Sequence, residues 1–441
     1  NSSPNGSYDK SRLVGFFGNV NYGYDNRYFL DLSFRTDGSS KFGRNSRFAP
    51  FWSVGVAWNV HKETFWSGDE KSSLKLRASV GSTGTTNFSS TQALTTYNYD
   101  FSKIYNGVFG VSLAGYGNPE LKWQNTISYN VGVDMTLLKG LVTFNGDFYI
   151  KNTENLLLPL TVAPSTGFSS YVENIGKLRN TGIEGRLRLN LIRDTQRDLR
   201  WNVTLSAFHN KSKITKLSNQ LEEINKYANS DWYNQGTVVY RQYEAGRSQT
   251  ALMMVRSGGI DPATGNEVYI KRNGELTFEY DANDKVKCGD MKPTIEGNVN
   301  TNLTWKGFTL YMLFKYQFGA KAYNGTLASK VEGANPYKNA DKRVLYDRWK
   351  EPGDHAKFRR IDDRTSPYQT TRLVFDNDLF SLSSVSLSYE LPRDISQKIY
   401  ADRVRLMLST TDVFRLSTIK QERGTSYPFA RTFNLSLNVT F

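Results

Sequence analysis

Cysteine is almost missing from this chain. Cys288 is the single one in 441 residues, so neither an internal disulfide nor a thiolate metal cluster can form. Histidine is nearly as scarce. His61, His209 and His355 stand far apart with no HExxH pair, which argues against a histidine zinc site or a catalytic triad. No stretch approaches about 18 consecutive apolar residues, so no transmembrane helix is expected. The opening Asn1-Ser2-Ser3-Pro4-Asn5-Gly6 has neither the charged start nor the apolar core of a secretion signal. The numbering is expected to begin inside a longer protein, or after a removed signal. No P-loop or nucleophile elbow occurs. Asp281 and Asn283 begin like a calcium loop, but Lys285 fills the third ligand position and Lys292 stands where a bidentate Glu belongs. That segment reads as a solvated turn. Asp362 and Asp363 are adjacent, and adjacent loop carboxylates are ordinarily solvated. The expectation is a protein that is not an enzyme, with no metal and no cofactor.

Aromatic residues are abundant. They make up 14% of the chain, with 26 Tyr and 26 Phe, yet mean hydropathy is only −0.53. Ser, Thr, Asn and Gly take the places that Leu, Ile and Ala would fill in a soluble core. This mixture suits strands with one apolar and one polar face. The net charge of +14 is spread along the chain rather than clustered. It reads as ordinary loop and lumen charge, and nucleic acid is not expected as a partner.

Alternation with period two keeps returning. At the C-terminus Phe433, Leu435, Leu437, Val439 and Phe441 fall on one face, and Thr432, Asn434, Ser436, Asn438 and Thr440 on the other. Successive side chains of a strand point to opposite faces, whereas a helix would mix the two sets. The same rhythm predicts strands over 12–24, 26–37, 50–61, 73–83, 124–138, 141–153, 178–192, 200–212, 293–305, 307–319, 379–391, 402–413 and 430–441. The connections alternate between tight and long, each second one being the longer of its neighbours. Short periplasmic turns and long extracellular loops give a transmembrane barrel this pattern, and a sandwich or propeller has no reason for it. The predicted fold is all-β: an antiparallel transmembrane β-barrel in the outer membrane of a Gram-negative cell. Bacterial barrels of this kind have even strand numbers, so thirteen strands point to part of a larger one. If the chain ends on the periplasmic side, residues 1–11 lie outside the cell.

Several segments resemble the SusC/RagA family of TonB-dependent outer-membrane transporters. Phe34-Arg35-Thr36-Asp37-Gly38-Ser39-Ser40-Lys41-Phe42-Gly43 is similar to the family's Arg-x-Asp-Gly-Ser-Ser-x-Phe loop, and residues 51–58 to the strand after it. Gly117-Asn118-Pro119-Glu120-Leu121-Lys122-Trp123 resembles the family's Gly-Asn-Pro-x-Leu-x-Trp strand entry. Asn174-Ile175-Gly176-Lys177 followed by Asn180-Thr181-Gly182-Ile183-Glu184 resembles another strand start, and residues 379–392 and 427–441 resemble the closing strands. The matches run in family order along nearly the whole chain, departing at 413–426, where the last outer loop is compact. The resemblance implies that residues 1–441 are the C-terminal portion of a barrel of about 22 strands, with the plug domain and first strands absent from this chain. It also implies TonB-dependent import of oligosaccharides with a SusD-like surface lipoprotein as lid and the TonB complex acting through the missing N-terminal part. Oligopeptide import by the same mechanism and a non-transporting outer-membrane receptor are the alternatives. An enzyme at the barrel mouth would need a nucleophile, base or metal set.

Specific residues follow. Gly38 and Gly43 are expected to supply turn conformations. Trp52, Trp58, Trp123, Trp201 and Trp305 fall near strand ends, where an aromatic girdle meets lipid headgroups and lipopolysaccharide. Phe441 resembles the terminal aromatic read during outer-membrane assembly. In the predicted outer loops, Tyr97, Tyr99, Tyr227, Trp232, Tyr233 and Tyr240 with Arg241 are candidates for contact with an oligosaccharide or oligopeptide; loop packing or contact with a partner protein would use the same residues.

Overall fold

A computed structural model describes residues 10–43, 46–69, 71–85, 93–161, 170–174, 176–217, 225, 242–335, 337, 339–363, 365–419 and 430–441. Thirteen antiparallel strands form one sheet, each paired with its sequence neighbours among these thirteen. They are β1 (Leu13–Tyr24), β2 (Tyr28–Ser39), β3 (Phe48–Asn59), β4 (Ser73–Thr85), β5 (Gln124–Leu137), β6 (Val142–Glu154), β7 (Lys177–Asp194), β8 (Leu199–Lys216), β9 (Ile295–Trp305), β10 (Phe308–Phe318), β11 (Leu379–Glu390), β12 (Arg403–Ser417) and β13 (Phe433–Thr440). Every strand predicted from alternation is present. Pairing register keeps the two faces apart. Leu205, Val299, Phe314 and Leu382 are successive cross-strand partners on one face, and Thr204, Asn300 and Leu313 run beside them on the other.

The tight ends are set by backbone chemistry. Asp25 and Asn26 have φ of 51° and 52°, and Lys306 and Gly307 have 45° and 84°, the left-handed values of a primed hairpin turn. Between β11 and β12 the connection is a short helix, Arg393–Ser396, ending at Tyr400 in the left-handed region. One length differs from expectation. The 40–47 connection is shorter than the 60–72 turn on the opposite side, because β2 and β3 climb past the predicted ends.

At the long-loop end, alternation gives way to two-sided burial. The connections 217–294 and 319–378 carry short strands of their own: Ala251–Met254 pairs with Val286–Asp290, Arg256–Ile260 with Glu267–Ile270, and Lys321–Tyr323 with Val374–Asp376. Ala328, Val331, Phe358 and Leu373 pack there as a small core under Tyr323 and Leu327. The 281–292 segment is not the solvated turn expected. Asp281 caps a 3-10 turn over Ala282–Asp284, accepting a hydrogen bond from the Asn283 N–H, and both Ala282 and Lys285 are buried. Burial pushes the Lys285 amine down to about 8.

Candidate functional site

Two surfaces are built by this arrangement: the polar face of the sheet and the loop layer above it. On the polar face Arg77 of β4 lies between two carboxylates of β5 and β6. Its Nε is 2.7 Å from Asp134 and its Nη2 is 3.2 Å from Asp147, while Asn145 donates to Asp134 at 2.8 Å. Asn298, Asn300 and Asn302 alternate on the same side of β9, opposite Ser206, Thr204 and Asn202 of β8. A wall of paired charges, amides and hydroxyls holds water and presents both donors and acceptors along its length.

The loop layer is fixed from within. Glu332 is 3% exposed and takes two guanidinium groups, Arg359 at 2.8 Å and Arg372 at 2.6 Å. Arg372 also reaches Glu267 at 3.0 Å, whose other oxygen accepts from Thr370 at 2.6 Å. Arg348 donates to the carbonyls of Glu332 and Arg359. Asp363, expected to be solvated, closes the network on Arg359 at 2.5 Å, and Asp362 pairs with Arg360. Burial opposes the charge on Arg372, but Glu267 and Glu332 outweigh it and raise its pKa. For Arg348 burial prevails and lowers it. The two longest connections are thereby joined, with further links from the Ser257 N–H to Thr371 Oγ1 at 3.0 Å and from Trp349 Nε1 to the Pro262 carbonyl at 2.8 Å. Tyr280 and Tyr368 stack at 4.0 Å with Tyr269 edge-on to both. Sequence reading missed this aromatic trio and the ion network, because neither has a local spacing.

A third feature joins the motif segments at the loop end. Phe42 stacks on Trp123 at 4.4 Å and Phe51 meets the same indole edge-on at 5.4 Å. Trp123 Nε1 donates to the Arg47 carbonyl at 3.1 Å, and Leu121 is fully buried. The Asn174 side chain accepts from the Lys122 N–H at 2.7 Å and donates to the Lys122 carbonyl at 2.8 Å. Phe42, Arg47, Phe51, residues 117–123 and Asn174 thus form one junction. Gly38, Gly43 and Gly117 serve close approach rather than turn conformation, and none of the three has positive φ. A Cβ on Gly43 would lie 1.6 Å from the Pro119 carbonyl oxygen, on Gly38 2.5 Å from the Phe48 ring, and on Gly117 2.1 Å from the Leu94 backbone.

The predicted site residues separate into groups. Trp123 is 7% exposed inside this junction, so its girdle assignment is corrected: the chain has not yet entered the β5 ladder, and strand parity does not govern where the ring points. Trp52 lies on the apolar face toward the long loops; Trp58, Trp201 and Trp305 lie on it at the tight-turn end. Trp58 Nε1 donates to Glu63 at 3.0 Å and Trp201 Nε1 to Thr301 Oγ1 at 2.8 Å. Tyr28, Phe308 and Tyr389 occupy the same level, Phe308 against Tyr389 at 4.4 Å, and were not singled out from sequence. Phe441 follows β13 and is exposed. Tyr97 and Tyr99 share one face of a projecting hairpin, Thr96–Tyr105 with Val108–Gly115, opposite Leu113 and Val111; the two tyrosines are 62% and 71% exposed. Tyr227, Trp232, Tyr233, Tyr240 and Arg241 lie outside the described residues.

Residues 1–237 match the family model for the TonB dependent receptor-like β-barrel. TonB-dependent receptor P3 of Formosa agariphila is 28% identical over 99% of this chain and 46% of its own length. TonB-dependent receptor SusC of Bacteroides thetaiotaomicron is 25% identical over 82% of this chain and 38% of its own length. Among solved structures, the RagAB peptide importer in its closed-closed state overlays with a TM-score of 0.81 at 22% identity, covering 97% of this chain and 48% of that one. The chain spans about half the length of the first relatives it matches. With its thirteen-stranded meander, short and long ends and motif junction, this chain belongs to the TonB-dependent receptor β-barrel family, in its SusC/RagA group, and is an outer-membrane protein.

Proposed function

We propose that these residues form the C-terminal wall and outer loop layer of a larger SusC/RagA-type importer, with the plug and first strands supplied by sequence beyond this chain. The importer takes up oligosaccharides across the outer membrane, driven by the TonB complex and covered by a SusD-like lipoprotein. The observation that carries this reading is the pairing of a polar inner wall with a braced loop layer, together with Tyr97 and Tyr99 exposed on one face of a separate hairpin. Flat rings stack on the apolar faces of sugar rings, while neighbouring amides and hydroxyls take the sugar hydroxyls. Exposed Val111 and half-buried Leu113, opposite those rings, suit the lipoprotein lid. Oligopeptide import is the second reading, favoured by the likeness in fold to the RagAB peptide importer.

The test is binding of the full-length protein with its lipoprotein to matched libraries of oligosaccharides and oligopeptides, followed by uptake in cells. Saturable oligosaccharide binding, weakened by roughly 1–2 kcal/mol in a Tyr97→Ala/Tyr99→Ala variant, is expected from interface aromatics. Binding confined to peptides overturns the substrate class. Uptake unaffected by loss of TonB overturns active import.

A further inference from the structure

An apolar groove crosses the lipid-facing side of β5–β9. Its floor is a row of cross-strand partners without large side chains: Gly146 opposite Gly185, and Gly185 opposite Ala207. Val131, Val133, Phe144, Phe148, Ile183 and Ile295 wall it, and it encloses about 540 Å3. A barrel surface facing hydrocarbon is ordinarily a level row of side chains. Here three neighbouring strands sink together at one height, and on the fourth Tyr316 crosses Gly297 to donate to the Ser206 carbonyl at 2.9 Å.

The groove meets a second cavity of about 460 Å3 at its outer end, with His209 lining both. The ladder between β8 and β9 stops at Phe208 opposite Glu296, and the space beyond is lined by Lys211, Lys213, Arg247, Lys287 and Lys292 against one carboxylate, Asp290. Register along β8 is unbroken from Ala207 to Lys213, so His209, Lys211 and Lys213 continue the face that carries the groove. Among the described residues, Lys211, Lys213, Lys287 and Lys292 have no ion-pair partner, while Arg247 has Glu244 at 3.5 Å. Asp290 is engaged by Thr250 at 2.6 Å. Positive charge is therefore in excess where the strands leave the hydrocarbon on the long-loop side.

We propose that groove and basic pocket together hold one molecule of a phosphorylated, multiply acylated outer-leaflet lipid of the lipid A class. An acyl chain lies over Gly146, Gly185 and Ala207, and a phosphate sits among Lys211, Lys213 and Lys292. Charge and depth both select this occupant. A neutral lipid leaves the lysines unanswered, and a soluble anion leaves the groove to bulk lipid. Basic pockets at the membrane surface recognise anionic headgroups in this way. The site requires only the outer-membrane placement of the barrel, so it stands or falls apart from the import reading.

The experiment uses full-length protein in detergent, with its folded state checked by heat-modifiable migration, and titrates bisphosphorylated lipid A by native mass spectrometry. Wild type is expected to retain one lipid A through delipidation. Lys211→Glu/Lys213→Glu should lower that retention roughly 10- to 30-fold, the scale of reversing two charges near an anionic surface. Gly185→Leu, which fills the groove, should lower it similarly. Where that variant fails to fold, the charge variant decides alone. Equal retention by wild type and the charge variant, or equal binding of dephosphorylated lipid A, overturns the proposal.

Discussion

At the scale of single residues, two carboxylates carry more than their positions suggest. Glu332 satisfies two buried guanidinium groups at once, so Glu332→Ala leaves Arg359 with Asp363 alone and Arg372 with Glu267 alone as carboxylate partners. Breaking a buried pair from one side costs about 3–5 kcal/mol. Hydrogen exchange should therefore speed up in 251–260 and 370–374 of the variant while β9 and β10 stay protected. Glu63, in the 60–72 turn, accepts from Tyr28 at 2.7 Å and from Trp58 at 3.0 Å. The Tyr28 and Trp58 hydrogen bonds hold its pKa below the ordinary 4.5. Its folded pKa is depressed, so its stabilising contribution is complete above the unfolded value and fades as pH falls through the folded one. Thermal unfolding in detergent, followed by tryptophan fluorescence, should lose stability below about pH 4.5 in wild type and lose less of it in Glu63→Gln. Neither role was legible in the sequence. Glu332 meets its partners 27 and 40 residues away, and no local pattern encodes that distance.

At the scale of elements, the strands were legible and the loop layer was not. A strand with lipid on one face and water on the other must alternate, and all thirteen segments do. The loop strands are short and buried on both sides. Ala251–Met254 is buried at every position and Leu276–Thr277 is two residues long, so neither leaves a period to read. Trp123 shows the limit from the other side. It has the parity of Ile127 and Tyr129 but precedes the first ladder residue, Gln124, and its ring turns into the junction. Truncation there, Trp123→Ala, should cost about 3–5 kcal/mol, visible as a lower unfolding temperature. Gly43→Ala should be comparably damaging, because its Cβ meets backbone rather than a movable side chain. By contrast Gly107, at φ 79° with open space around it, should cost only about 1 kcal/mol as alanine, confined to its hairpin.

At the scale of the whole molecule, the sheet ends at β1 and β13. Paired edges are what keep a barrel from joining neighbouring chains, and the proposed larger barrel pairs both edges within one molecule. Phe441 is exposed beside the β13 edge, and we propose it as a residue that an outer-membrane assembly factor reads. Phe441→Ser in the full-length protein should leave synthesis unchanged but lower the amount recovered in the outer membrane several-fold, as measured by fractionation and immunoblot.

Ionic strength separates the two charged regions. Mobile ions screen solvent-facing charges within a Debye length of about 8 Å at physiological salt, but they do not enter a packed interior. The exposed side chains of Lys211 and Lys213 fall in the first class and the Glu267–Glu332–Arg359–Arg372 group, between 1% and 10% exposed in its side chains, in the second. A bacterium moving from dilute to saline surroundings would change its grip on whatever anion the basic pocket holds, while the shape its loops present to the outside stayed the same.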